Sequence, residues 1–162
     1  MSRKRFFLVF GFVAVVAILV GLLWNPPDDP TAASPAKSGR QVFESRAPEL
    51  PFSSAVRVGN AYYMAGKLGL DPATGRPVAG GAGAETRAIM DGFAALFQKL
   101  GIQFSDVVKG TVYLVDLKDY DALNKVYAAY FKSDPPAREC VGVKELLRGA
   151  RVEISFIAVK AE

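Results

Sequence analysis

Histidine is missing from all 162 residues. That one absence removes a Ser-His-Asp triad, a Cys-His dyad and every histidine-based metal site. Cysteine occurs once, at Cys140, so neither a disulfide within the chain nor a multi-cysteine zinc site can form. Cations exceed anions by only four, and beyond residue 5 no run of Lys or Arg occurs, so charge offers no footprint for nucleic acid. Chemistry, if there is any, rests on carboxylates, Arg, Lys, Tyr, hydroxyls, backbone groups or the lone thiol.

What the chain does have begins with an apolar N-terminus. Residues 1–24 read MSRKRFFLVFGFVAVVAILVGLLW, with no charge between Phe6 and Trp24. At about 1.5 Å per residue a helix of that length reaches ~28 Å, enough for the hydrocarbon core of a bilayer. Arg3, Lys4 and Arg5 predict a cytoplasmic N-terminus, Trp24 suits the far interface, and the remainder would be exported. The alternative is a cleaved signal peptide. Its small-x-small sites, between Ala32 and Ala36, lie far beyond the apolar run, which also exceeds the usual signal core, so an uncleaved anchor is expected. Residues 25–40 (NPPDDPTAASPAKSGR) cannot form a core and read as a tether of roughly 22 Å root-mean-square span.

The globular part is expected over 41–162. Gln41 to Ser45 is a weak first strand; Ser54 to Val58 and Tyr62 to Ala65 are extended runs joined by Gly59-Asn60, which suits a tight hairpin. Residues 71–83 (DPATGRPVAGGAG) read as loop. From Ala84 to Leu100, Ile89, Phe93, Leu96, Phe97 and Leu100 form one apolar stripe ended by Gly101, which predicts a helix lying on a sheet. Val107 to Leu114 predicts a strand. Asp116 is placed to cap a second helix, with Asp119 completing a partial capping box, and that helix continues through Leu123, Val126, Tyr127, Tyr130 and Phe131 to Asp134-Pro135-Pro136. The element order predicts an α+β domain with a mixed sheet of about six strands and two helices over one face. The other face of so small a two-layer domain is left for another chain to cover.

The stretch 136–154, PARECVGVKELLRGARVEI, carries the candidate chemistry. It predicts two strands, Arg138 to Val143 and Arg151 to Val159, around a loop bearing Arg148 and Gly149. Residues two apart share a face, so Arg138, Cys140 and Gly142 point one way and Glu139, Val141 and Val143 the other. Glu153 is an acid between Val152 and Ile154, costly to bury without a partner. Arg138 is the expected partner if the two strands lie side by side.

Pro-Ala-Arg-x-Cys-Val followed some ten residues later by Val-Glu-Ile resembles the signature of the Rid family, the YjgF-type reactive intermediate deaminases. The resemblance runs from about Ala47 to Lys160 and is densest over LGIQFSDVVKGTVYLVDLKDYDALNKVYAAYF; residues 1 to about 40 lie outside it. It implies a chorismate-mutase-like fold, a homotrimer with clefts between neighbouring subunits, and no metal or organic cofactor. It also implies roles: Arg138 anchors a substrate carboxylate, Glu153 positions and activates water, the Cys140 backbone helps hold the ligand, and Asn124 and Tyr127 reach the cleft from the second helix. Two departures mark this chain. Phe52 stands where many deaminating relatives have Tyr, and Ala65 where they have Ser, each losing a hydroxyl worth about 1 kcal/mol if it bonded ligand. Lys67 replaces a common Gln.

The expected activity is hydrolysis of enamine or imine intermediates of the 2-iminobutanoate or 2-iminopropanoate type to 2-oxo acids and ammonia, by a membrane-anchored protein that does not bind nucleic acid. The alternative is an exported, non-catalytic module that binds small carboxylates such as 2-oxo acids in the same cleft.

Overall fold

The computed structural model describes residues 39–43 and 50–161, all within one compact unit, Ser38–Glu162. The expected anchor at 1–24, nearly all of the tether, and residues 44–45 of the expected first strand lie outside the described residues. Among the described residues no helix is long and apolar enough to cross a membrane.

The strands are β1 (Arg40–Phe43), β2 (Ala55–Val58), β3 (Ala61–Met64), β4 (Lys67–Leu68), β5 (Val107–Leu114), β6 (Ala137–Gly142) and β7 (Val152–Val159); the helices are α1 (Gly81–Leu100) and α2 (Tyr120–Tyr127). The strands order as β1-β2-β3-β7-β5-β6, with β4 also on β7. Only β5 and β6 run parallel. The sheet is therefore mixed, as expected, but it has seven strands among the described residues rather than six. The addition is β4, whose two residues are too few for a period-two pattern to register in sequence. It pairs with β7 at Glu153 and Ile154, just past the point where β3 leaves off at Ile157.

Three helix boundaries differ from expectation: α2 ends at Tyr127 rather than running on through Phe131, and Ala128–Tyr130 follow it as a 3-10 turn. α1 starts at Gly81, three residues before Ala84, because the apolar stripe does not extend into the Gly-Ala-Gly that forms its first turn. Asp116 does cap, accepting the Lys118 N–H at 3.0 Å, but it caps a single 3-10 turn, Leu117–Asp119, that precedes α2. Asp119 does not complete a capping box. Its carboxylate is taken by Arg151, at 2.8 Å from Nε and 2.7 Å from Nη2, which ties the start of α2 to the start of β7.

The α1 stripe lies on the sheet as its spacing predicts: Ile89, Phe93, Phe97 and Leu100 are buried against Val152, Ile154, Phe156 and Ala158 of β7. Phe93 meets Phe156 edge-on, with ring centroids 4.7 Å apart, and Tyr127 and Phe131 extend the aromatic cluster from the α2 side. Each fully buried aromatic contributes roughly 1.5–3 kcal/mol, so this cluster fixes how both helices sit on β5 and β7. Gly110 of β5 lies beneath it. A Cβ there would come within 2.8 Å of the Tyr127 hydroxyl and 3.0 Å of the Phe156 ring, so α2 approaches the sheet this closely only over a glycine.

The register assigns the two faces. Arg138 of β6 pairs with Gly110 of β5, which pairs with Phe156 of β7; Cys140, Val112 and Ile154 form the next such row. Residues directly opposite share a face, so both rows lie on the helix-covered side. The alternate rows, Glu139-Thr111-Ser155 and Val141-Tyr113-Glu153, lie on the other side. On that side Tyr63 and Val141 are about half exposed, at 50% and 46%.

Candidate active site

Arg138 projects from β6, the last strand of the sheet, into the angle between the sheet and α2. Its Nη2 donates to Asn124 Oδ1 at 2.7 Å and to the Tyr120 hydroxyl at 3.2 Å. The guanidinium carbon lies 4.7 Å from the centre of the Tyr127 ring and 5.5 Å from that of Tyr120. A cation over aromatic faces gains roughly 0.5–2 kcal/mol, depending on how far it is desolvated. The helical spacing of Tyr120, Asn124 and Tyr127 puts all three on one side of α2, and together they hold a permanent cation in one orientation.

Tyr127, expected to reach the cleft, lies under the Arg138 guanidinium. It is buried, and its hydroxyl is turned down over Gly110 with no hydrogen-bond partner among the described residues; burial pushes its pKa up to about 12 against the pull of Arg138. It offers Arg138 a ring face. Cys140, one row along β6, is partly buried, and burial raises its thiol pKa while the Arg138 charge opposes that rise. A protonated thiol is a poor nucleophile.

The expected pairing of Arg138 with Glu153 is corrected by the topology. β5 lies between β6 and β7, so at about 4.8 Å per strand the two backbones stand roughly 10 Å apart. More decisively, the register sends the two side chains to opposite faces. Glu153 faces the open side and lies against Gly66, where a Cβ would collide with its carboxylate. Burial raises the Glu153 pKa above the ordinary glutamate value of 4.5. Burial is the cause of that shift, and Arg138, the expected partner, does not contribute to it.

The remaining candidates lie with Gly66. Phe52 and Ala65, together with Ser54, Gly66 and Lys67, line a cavity of about 570 Å³ between the β2–β3 hairpin and α1. Arg138 is not part of it. One copy of the chain thus carries two separate groups: Arg138 with Tyr120, Asn124 and Cys140 at the β6 edge, and Glu153 against Gly66 beside β4; Phe52 and Ala65 line the cavity that Gly66 borders, and Glu153 does not.

Two side chains escaped the sequence reading. Tyr120 is one, because a half-exposed tyrosine before a helix carries no distinguishing pattern. Glu85 is the other: it is 2% exposed, and its Oε2 accepts the backbone N–H of Arg151 at 2.8 Å and of Val152 at 3.2 Å. A buried carboxylate gripping the first residues of β7 fixes where that strand begins and hence where Glu153 stands. Its trace in the sequence was its position four residues before Ile89, an acid on the apolar stripe of α1.

Residues 43–160 match the family model described as Endoribonuclease L-PSP. The chain is 41% identical over 123 residues to the 2-iminobutanoate/2-iminopropanoate deaminase of Capra hircus, covering 75% of this chain and 90% of that protein. It is 38% identical over 121 residues to a RutC family protein of Pyrococcus abyssi, covering 74% and 95%. The crystal structure of RidA from the Antarctic bacterium Psychrobacter superposes with a TM-score of 0.68 at 35% identity, covering 74% of this chain and 99% of that one. With the mixed sheet, the two helices on one face and the Pro-Ala-Arg-x-Cys-Val strand in place, the chain belongs to the Endoribonuclease L-PSP family, the Rid or YjgF-type proteins.

Proposed function

We propose that this chain hydrolyses 2-imino acids of the 2-iminobutanoate or 2-iminopropanoate type to 2-oxo acids and ammonia, in a site completed by two copies of the chain. The observation that carries the reading is the state of Arg138. Both hydrogens of Nη2 are committed to α2, while Nη1 and Nε have no partner among the described residues, so a cation held in one orientation offers donors to a carboxylate. The relatives named 2-iminobutanoate/2-iminopropanoate deaminase support the same substrate class.

Because Arg138 and Glu153 occupy opposite faces of one sheet, a site that uses both takes them from different copies. The half-exposed Tyr63 and Val141 on the uncovered face give those copies a surface on which to pack. A homotrimer with its sheets around the threefold axis satisfies both requirements. Arg138 of one subunit holds the substrate carboxylate, and Glu153 of its neighbour takes a proton from water as the oxygen attacks the imine carbon. The electron pair of the C=N bond moves to nitrogen, which receives that proton; the new hydroxyl then gives up its own proton, relayed by Glu153 to nitrogen, as the carbonyl forms, the C–N bond breaks and ammonia leaves. Phe52 and Ala65 line the cavity bordered by Gly66, the glycine against which Glu153 lies.

The direct test supplies 2-iminobutanoate, generated in place by an amino-acid oxidase, to the purified full-length chain and follows 2-oxobutanoate. Turnover well above the spontaneous rate, lost in Arg138→Ala, is expected; a wild-type chain that leaves the spontaneous rate unchanged rejects the reading. The apolar stretch 6–24 with its three preceding cations supports an uncleaved anchor with the domain exported, and secretion after cleavage is the competing fate. Carbonate extraction that released the full-length chain from membranes would exclude the anchor.

A further inference from the structure

Arginine can donate hydrogen bonds but cannot accept them, which fixes the direction of every contact Arg138 makes. At 3.2 Å from Nη2, the Tyr120 oxygen is the acceptor. The phenolic hydrogen is therefore not used toward Arg138, and no acceptor for it is present among the described residues. The ring is 42% exposed and lies alongside the guanidinium, so this hydrogen is carried at the open rim of the site, within reach of whatever Arg138 binds.

The guanidinium itself lacks something. A carboxylate normally takes two parallel bonds from an arginine, using Nη2 with either Nε or Nη1. Here both Nη2 hydrogens are already given to Asn124 and Tyr120. Neither fork is intact, and the bond to Tyr120 is the longer of the two.

We infer that Tyr120 is a second carboxylate donor of the site: its hydroxyl accepts from Arg138 and gives its own hydrogen to the substrate carboxylate, replacing the arm of the fork that α2 occupies. The inference rests on the carboxylate-anchoring reading of Arg138 and adds to it a residue that selects for a planar anion placed between a guanidinium edge and a phenol. Such a contact is the same in the bound substrate and in the transition state, so it acts on binding and leaves the chemical step alone.

Tyr120→Phe keeps the ring over the guanidinium and removes only the hydrogen. In the full-length chain it is expected to raise KM for 2-iminobutanoate by about 10-fold with kcat unchanged, the low end of the range for one hydrogen bond to a charged group, since the site is partly exposed. The inhibition constant of pyruvate, which offers the same carboxylate and no reaction, is expected to rise by the same factor. An unchanged KM and inhibition constant, or a loss confined to kcat, overturns the assignment. The outcome is separable from the parent reading: if Arg138→Ala also leaves pyruvate inhibition untouched, the carboxylate anchor itself is wrong; if Arg138→Ala abolishes inhibition and Tyr120→Phe does not weaken it, only Tyr120 is.

Discussion

Glu153→Gln is expected to lower turnover of 2-iminobutanoate by about 10²- to 10⁴-fold, the usual contribution of a positioned general base, with KM little altered because the carboxylate anchor is elsewhere. The same substitution removes the acid limb of the pH profile. Burial raises the Glu153 pKa above 4.5, so in the wild type that limb lies at higher pH than a solvent-exposed glutamate would give. Stability moves in the opposite sense. A carboxyl whose folded pKa is raised favours the native state most below its unfolded pKa, and that benefit is lost as pH rises through the folded value. Glu153→Gln should therefore melt at a higher temperature than wild type near neutrality, with the difference closing in acid. Rate profiles and thermal melts across pH 4–8 check both signs together. A variant that kept its rate and its acid limb would take Glu153 out of the reaction.

Much of this was legible in the order of residues, and the exceptions have a common cause. The α1 stripe, β5 over Val107–Leu114 and the hairpin around Gly59-Asn60 could be read because burial of one face writes a period into the chain. Arg138 and Cys140 were found through the Pro-Ala-Arg-x-Cys-Val resemblance and Asn124 through that of the second helix, and the structure does bring Asn124 onto Arg138, with Cys140 on the same face of β6. What sequence could not supply was the order of strands across the sheet. Arg138 and Glu153 lie fifteen residues apart on consecutive strands, and adjacency was the natural inference. β5 intervenes because β6 returns parallel to it through α2 while β7 turns back antiparallel on its other side. That insertion, together with the register, is what puts the two groups on different faces. Glu85 and Tyr120 were missed for a related reason: their partners, the Arg151 and Val152 amides and the Arg138 guanidinium, are set by tertiary packing alone.

Two inactive chains are expected to make an active protein. If each site takes Arg138 from one copy and Glu153 from the next, an Arg138→Ala chain retains a good Glu153 and a Glu153→Gln chain retains a good Arg138. Ring oligomers built on head-to-tail interfaces place unlike surfaces of neighbouring copies together. When the two variants assemble at random in equal amounts, a site finds the intact arginine half the time and the intact acid half the time, so about one quarter of wild-type turnover returns. No other arrangement of these residues behaves this way. Were both groups drawn from a single chain, every site in the mixture would lack one of them and the activity would stay at the level of the separate variants. Co-expression with two different tags, followed by sequential purification on both, isolates the hybrids. In these, one site of a trimer's three is intact whichever variant is in the majority, so about one third of wild-type turnover is expected of them; sedimentation gives their subunit number. Hybrids of verified composition that remain as inactive as their parents would break the two-copy site, since within one chain the sheet itself stands between the guanidinium and the acid.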